Sequence, residues 1–152
     1  MEPVLIAPAA LSNAPTPVAL RLGYTGLVPF VLGAALTWIV RPEALPYVSA
    51  SLSSYAAVIV SFLGGIHWGF ACRQPAPPSS LFIWGVVPSL VAWVAVVMPA
   101  YAGLVLLGLM LVACYLVDRR VYPVEGAAAW LTLRFRLTAV GAFSCFIGAA
   151  GS

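Results

Sequence analysis

The chain has 152 residues, 63% of them hydrophobic and only 7% charged, with a formal net charge of +3 at neutral pH. Soluble domains carry roughly 25% charged residues, so this composition cannot cover a water-facing surface and excludes a soluble globular domain, a disordered tail and a coiled coil. The mean hydropathy of +1.07 fits instead an integral membrane protein, and the length allows about five short helices with little room for an extramembrane domain.

Residues 1–21, with Pro3, Pro8, Pro15, Pro17 and the acidic Glu2, read as a Pro-rich extended lead-in. A signal peptide would need a basic start and an unbroken apolar run. Five apolar segments follow in a single domain over residues 22–150. They run from about Leu22 to Val40, Tyr47 to Cys72, Leu81 to Met98, Tyr101 to Val117, and Ala127 to Ala149. Each is long enough to cross a hydrocarbon core of about 30 Å with some tilt. Only Pro99-Ala100 separates the third from the fourth, so these two form a tight antiparallel hairpin. The expected fold is all-α, a polytopic bundle of five transmembrane helices.

Orientation follows from arginine placement, since the chain has no Lys. The N-terminal lead and the loops at 73–80 and 118–126 share one side, which holds Arg21, Arg73, Arg119 and Arg120; the opposite side holds Arg41 alone. The positive-inside rule then puts the N-terminus in the cytoplasm and the C-terminus in the periplasm of a bacterial inner (cytoplasmic) membrane. An all-Arg basic set suits phosphate-rich interfaces, and genomic base composition explains it equally well. Scattered arginines give no basic stripe, which argues against nucleic acid as a partner. Cys72, Cys114 and Cys145 form no CxxC pair and read as packed thiols.

Several polar or helix-breaking residues fall in one slab near the cytoplasmic face. Gly26-Leu27-Val28-Pro29 in the first span echoes Gly85-Val86-Val87-Pro88 in the third. Each proline removes a donor and frees the carbonyl four residues earlier, at Thr25 or Trp84. In the second span Ser61, Gly65 and Gly69 recur every four residues, a smooth stripe suited to close helix packing inside the chain or to dimerisation. His67 lies about 200° round from Gly65; with the stripe packed, it faces another neighbour, which makes the second helix a central element. Arg134 and Arg136 stand about 200° apart on the fifth span. The candidate polar layer therefore comprises His67, Trp68, Arg134, Arg136, Pro29, Pro88 and Ser89, with Ser61, Gly65 and Gly69 for packing and Arg73, Asp118, Arg119 and Arg120 as interfacial charge.

Two readings of this layer stay open. In one, His67 bonds a freed carbonyl or a Ser hydroxyl while the arginines anchor the fifth helix at headgroups. In the other, the slab lines a pocket for an anionic headgroup, a quinone-like ring or a protein partner. With Asp118 read as a helix-end ion-pair partner of Arg119, no acid stands beside His67, which makes a poor proton relay. A single His speaks against bis-histidine haem, zinc lacks ligands, and no nucleophile–base–acid set is placed for hydrolysis. No catalytic residue, metal site or cofactor is expected.

Three runs carry a resemblance: Leu22-Gly23-Tyr24-Thr25-Gly26-Leu27-Val28-Pro29-Phe30, Ser61-Phe62-Leu63-Gly64-Gly65-Ile66-His67-Trp68-Gly69, and Val87-Pro88-Ser89-Leu90. Weaker support comes from Asp118-Arg119 and from Trp130 followed by Arg134 and Arg136; Leu131 departs from the aromatic residue expected there. Over about residues 22–145 the chain resembles domain-of-unknown-function family 3429, small multi-pass membrane proteins of proteobacteria and mitochondria. The resemblance implies a multi-pass inner-membrane protein and carries no reaction, ligand or catalytic residue. The expected function is a non-catalytic accessory, scaffold or assembly factor acting through helix packing and interfacial Arg contacts. The alternative is a lipid-, quinone- or small-solute-binding or carrier protein using the polar layer. Membrane lipids, a larger membrane-protein complex or a homo-oligomer are the candidate partners.

Overall fold

Apolar runs in lipid must satisfy their backbone groups internally, which leaves the helix as the form each segment takes. A computed structural model describes residues 14–152. The lead-in expected over 1–21 lies outside the described residues up to residue 13, and its end is not extended. Thr16 caps a helix by accepting from the Ala19 N–H at 3.2 Å, with Pro17 at the first helical position, where its missing N–H costs nothing.

The helices, in order, are α1 (Pro17–Thr25), α2 (Val28–Ile39), α3 (Leu45–Ala71), α4 (Ser79–Val97), α5 (Ala100–Val124) and α6 (Leu131–Ala150), the last preceded by a 3-10 turn, Ala128–Trp130. They provide five helical stretches long and apolar enough to cross a membrane, α1 and α2 together forming the first. The described residues contain no strand. The first span is broken at Gly26-Leu27, so Pro29 sits in the opening turn of α2 rather than inside a continuous helix. At this elbow the Tyr55 hydroxyl of α3 donates to the Gly26 carbonyl at 2.7 Å. Pro88, by contrast, lies within an unbroken α4 and is fully buried.

The fourth span corrects a boundary. It runs to Val124 rather than stopping at Val117, carrying Asp118, Arg119 and Arg120 within the helix. Charge alone does not end a helix. This one ends where Pro123 stands in its last turn and Gly126 takes the left-handed conformation, φ 74°.

Helix α3 packs on α2, α4, α5 and α6, and is the central element of the bundle. With lipid outside, close packing rather than water exclusion holds such a bundle. Gly64 brings the α3 backbone against Gly85 of α4; a Cβ there would lie 2.5 Å from the Gly85 carbonyl oxygen. Gly103 likewise brings α5 against the Ala95 carbonyl of α4. Gly65 and Gly69 behave differently from the intramolecular packing expected of them. Both face outward, and among the described residues a Cβ on either would meet nothing within 4 Å. The glycine that packs is thus the neighbour of the stripe, because the inner face of α3 is set by Val60, Leu63, Gly64, His67 and Ala71.

Both ends of the bundle are tied. On the N-terminal side Gln74 donates to both Glu125 carboxylate oxygens at 2.9 Å, joining the loops after α3 and α5. On the other side Trp38 Nε1 donates to the Ile147 carbonyl at 3.1 Å, and the Ser49 and Ser152 hydroxyls lie 2.8 Å apart.

Candidate functional site

Along α5 the residues Leu107, Leu111, Cys114, Asp118 and Tyr122 recur at three- or four-residue steps, and all are buried. They form one inward stripe of a helix, and Asp118 occupies a place in it that a leucine would otherwise fill. His67 holds the matching position on α3, and Arg134 the matching position on α6. His67 and Asp118 are each 1% exposed and Arg134 is 7% exposed. His67 lies four residues before the end of α3 and Asp118 six before the end of α5, depths of about 6 and 9 Å at 1.5 Å per residue.

The three side chains meet. Arg134 donates to Asp118 Oδ2 twice, from Nε at 2.9 Å and from Nη2 at 2.7 Å. His67 Nε2 stands 3.5 Å from Asp118 Oδ1, while Nδ1 faces the Leu63 carbonyl of its own helix at 3.3 Å. The arginine contact is a full charge-assisted pair; the histidine contact is too long for an ordinary hydrogen bond and acts through electrostatics. Phe70, Trp84 and Tyr122 surround the imidazole with ring centroids 6.1, 6.5 and 6.5 Å away. An uncompensated charge at the centre of a membrane helix costs about 2.5–3.5 kcal/mol by insertion scales. Pairing the carboxylate and guanidinium cancels their formal charges and ties α5 to α6, with α3 drawn in through His67.

This geometry corrects three expectations. Asp118 is not a helix-end partner of Arg119 but the buried counter-ion of Arg134. His67 faces that acid, not a proline-freed carbonyl or a Ser hydroxyl. Arg134 turns inward instead of anchoring at headgroups, because a carboxylate is available inside. Arg136 does point outward, where its Nη1 donates to the Tyr24 hydroxyl at 3.1 Å.

The rest of the expected layer is dispersed. Pro29 and Ser89 face outward. Trp68 is 45% exposed and donates from Nε1 to the Phe82 carbonyl at 3.0 Å, and Pro88 packs near Gly64. Arg73, Arg119 and Arg120 are exposed, Arg73 lying 5.3 Å over the Phe70 ring and Arg119 6.0 Å over that of Tyr115. Sequence reasoning missed Tyr122 and Trp84, and the period running through Leu111, Cys114, Asp118 and Tyr122 was the signal that could have found the first. Among the described residues no group of three or more His, Cys, Asp or Glu could hold a metal ion. The three cysteines are free; Cys114 and Cys145 are buried and Cys72 is exposed.

A helical bundle with five membrane-crossing stretches and a buried Arg–Asp pair defines a multi-pass membrane protein. The chain belongs to the family described as "Protein of unknown function (DUF3429)", which matches residues 15–150. It is similar to Transmembrane protein 69 of Xenopus tropicalis, with 40% identity over 143 residues, covering 89% of this chain and 54% of that protein. It is also similar to Transmembrane protein 69 of Mus musculus, with 30% identity over 89 residues, 57% of this chain and 36% of that protein. The chain thus spans about half the length of the Xenopus relative and less of the mouse one. No solved structure matches it.

Proposed function

We propose that this protein is a non-catalytic accessory, scaffold or assembly factor of the bacterial inner membrane, oriented with its N-terminus in the cytoplasm and Ser152 in the periplasm. The observation that carries the reading is that the buried charges are spent on each other. Arg134 is matched by Asp118, and His67 leans on the same carboxylate, so the cluster serves as a clamp across three helices. The outward strip of Gly65 and Gly69 meets nothing among the described residues and supplies a smooth seat where a second backbone could approach. The orientation rests on exposed Arg21, Arg73, Arg119 and Arg120 on one side against Arg41 on the other.

Purification in mild detergent tests the reading. The expected result is a defined stoichiometric partner or homo-oligomer that is lost on Gly65→Leu; a clean monomer across several detergents, unchanged by Gly65→Leu, refutes it. A lipid-, quinone- or small-solute-binding role is supported by one specific observation, an apolar recess that reaches Arg134, Tyr122 and Thr138.

A further inference from the structure

The elbow at Gly26-Leu27 has a consequence for the face of the bundle. Helix α2 packs on both α3 and α6, whereas α1 packs on α6 without comparable packing on α3. A recess of about 490 Å³ opens between α1 and α3 and is floored by α5 and α6, within the range of about 300–1,000 Å³ usual for small-molecule sites. Its walls run from Ile59 to Phe70 on α3 and from Leu133 to Gly141 on α6, with Trp130 of the preceding turn at the mouth, while α5 contributes Leu111 and Tyr122. On α3 and on α5 the end residues stand eleven helical steps apart, about 16 Å, close to the roughly 15 Å that one leaflet contributes to a 30 Å hydrocarbon core.

The lining is almost wholly aliphatic and aromatic, and the one charged group in it, Arg134, is already paired with Asp118. The interior therefore asks for an uncharged chain. The loop-side mouth differs. Arg73 lies over the ring of Phe70, a wall residue, whereas Arg21, two residues from the wall residues Ala19 and Gly23 and so about 200° round the helix, faces away. Arg73 has no ion-pair partner among the described residues, and Glu125, the nearby acid, is held by Gln74.

From the recess and its mouth we infer that it binds one acyl chain of an anionic phospholipid from the leaflet on the loop side, the headgroup phosphate resting against Arg73. The inference deepens the lipid-binding reading and stands apart from the accessory reading, since a lost protein partner has no bearing on it.

The test uses the full chain in phosphatidylcholine vesicles doped with phosphatidylglycerol carrying a photoactivatable diazirine in the distal half of its acyl chain. After illumination, adducts in the wild-type protein are expected on the deep wall, around Ile59–Leu63 and Leu137–Gly141. The same diazirine on phosphatidylcholine should label those positions less, and Arg73→Gln should lower phosphatidylglycerol labelling by about fivefold, the worth of one Arg near an anionic surface. Ala19→Trp, at the half-buried rim, and Leu137→Trp, in the floor, should each remove recess adducts while leaving those at outward Leu90. The wild-type adduct map stands without any variant. Adducts spread evenly over outward positions such as Leu90 overturn the site; equal labelling by the two lipids overturns the anionic headgroup. Displacement of the lipid adduct by an equal concentration of isoprenoid quinone overturns the acyl-chain assignment.

Discussion

Replacing Asp118 with Asn removes one negative charge while keeping the shape of the side chain. It leaves the Arg134 guanidinium, which gave two hydrogen bonds of 2.9 and 2.7 Å to Oδ2, without a counter-ion at a position 7% exposed. Breaking a buried pair from one side costs about 3–5 kcal/mol. Arg134 lies close enough to the start of α6 to reach partly towards the interface, which recovers some of that loss, so a loss of about 2–4 kcal/mol is expected. Reversible unfolding in mixed micelles, with sodium dodecyl sulfate as denaturant, reads this directly. Glu43→Gln, at an exposed position, serves as the control and should stay within about 0.5 kcal/mol of the wild type. The double variant Asp118→Asn/Arg134→Met should recover to within about 1–2 kcal/mol of the wild type, since removing both charges also removes the cost of desolvating them. If Asp118→Asn costs no more than Glu43→Gln, or if the two changes simply add, the buried clamp does not exist as described.

The close packing of α3 on α4 predicts opposite outcomes at adjacent glycines. Gly64→Ala drives a Cβ to 2.5 Å from the Gly85 carbonyl and should cost about 1–3 kcal/mol, whereas Gly65→Ala, in open space, should be neutral or slightly stabilising in the same titration. Tyr55→Phe deletes the 2.7 Å bond to the Gly26 carbonyl; it should cost about 1 kcal/mol and raise hydrogen exchange at α1 amides above that at α4. A reporter fused after Ser152 should be active in the periplasm, and activity only in the cytoplasm would reverse the orientation.

Helix number and span order were legible because hydropathy in a membrane chain reports the solvent, and lipid admits few backbone solutions. The centrality of α3 was expected on the premise that the glycine stripe is packed; α3 is central, yet Gly65 and Gly69 face outward, so that premise failed. What escaped was charge that is satisfied inside. Asp118-Arg119-Arg120 reads as the end of a span when charges are counted along the chain, yet only Asp118 falls on the inward period of Leu111, Cys114 and Tyr122. Its partner lies sixteen residues away on another helix, and no local pattern announces that pairing. The stripe shows the converse limit. Ser61, Gly65 and Gly69 share one face by periodicity, but the seam with α4 uses Gly64, because the facing helix decides which face is buried. The break at Gly26-Leu27 was foreshadowed by Pro29, whereas the chemically similar Pro88 left α4 continuous.

The pairing of Arg134 with Asp118 is tested most directly by solid-state magnetic resonance on the full chain in lipid bilayers, with ¹⁵N-labelled arginine and ¹³C-labelled aspartate. The account predicts strong dipolar coupling between an Arg134 side-chain nitrogen and the Asp118 carboxyl carbon, lost on Asp118→Asn. Coupling of the Arg134 guanidinium to lipid ³¹P instead, with none to Asp118, would contradict it.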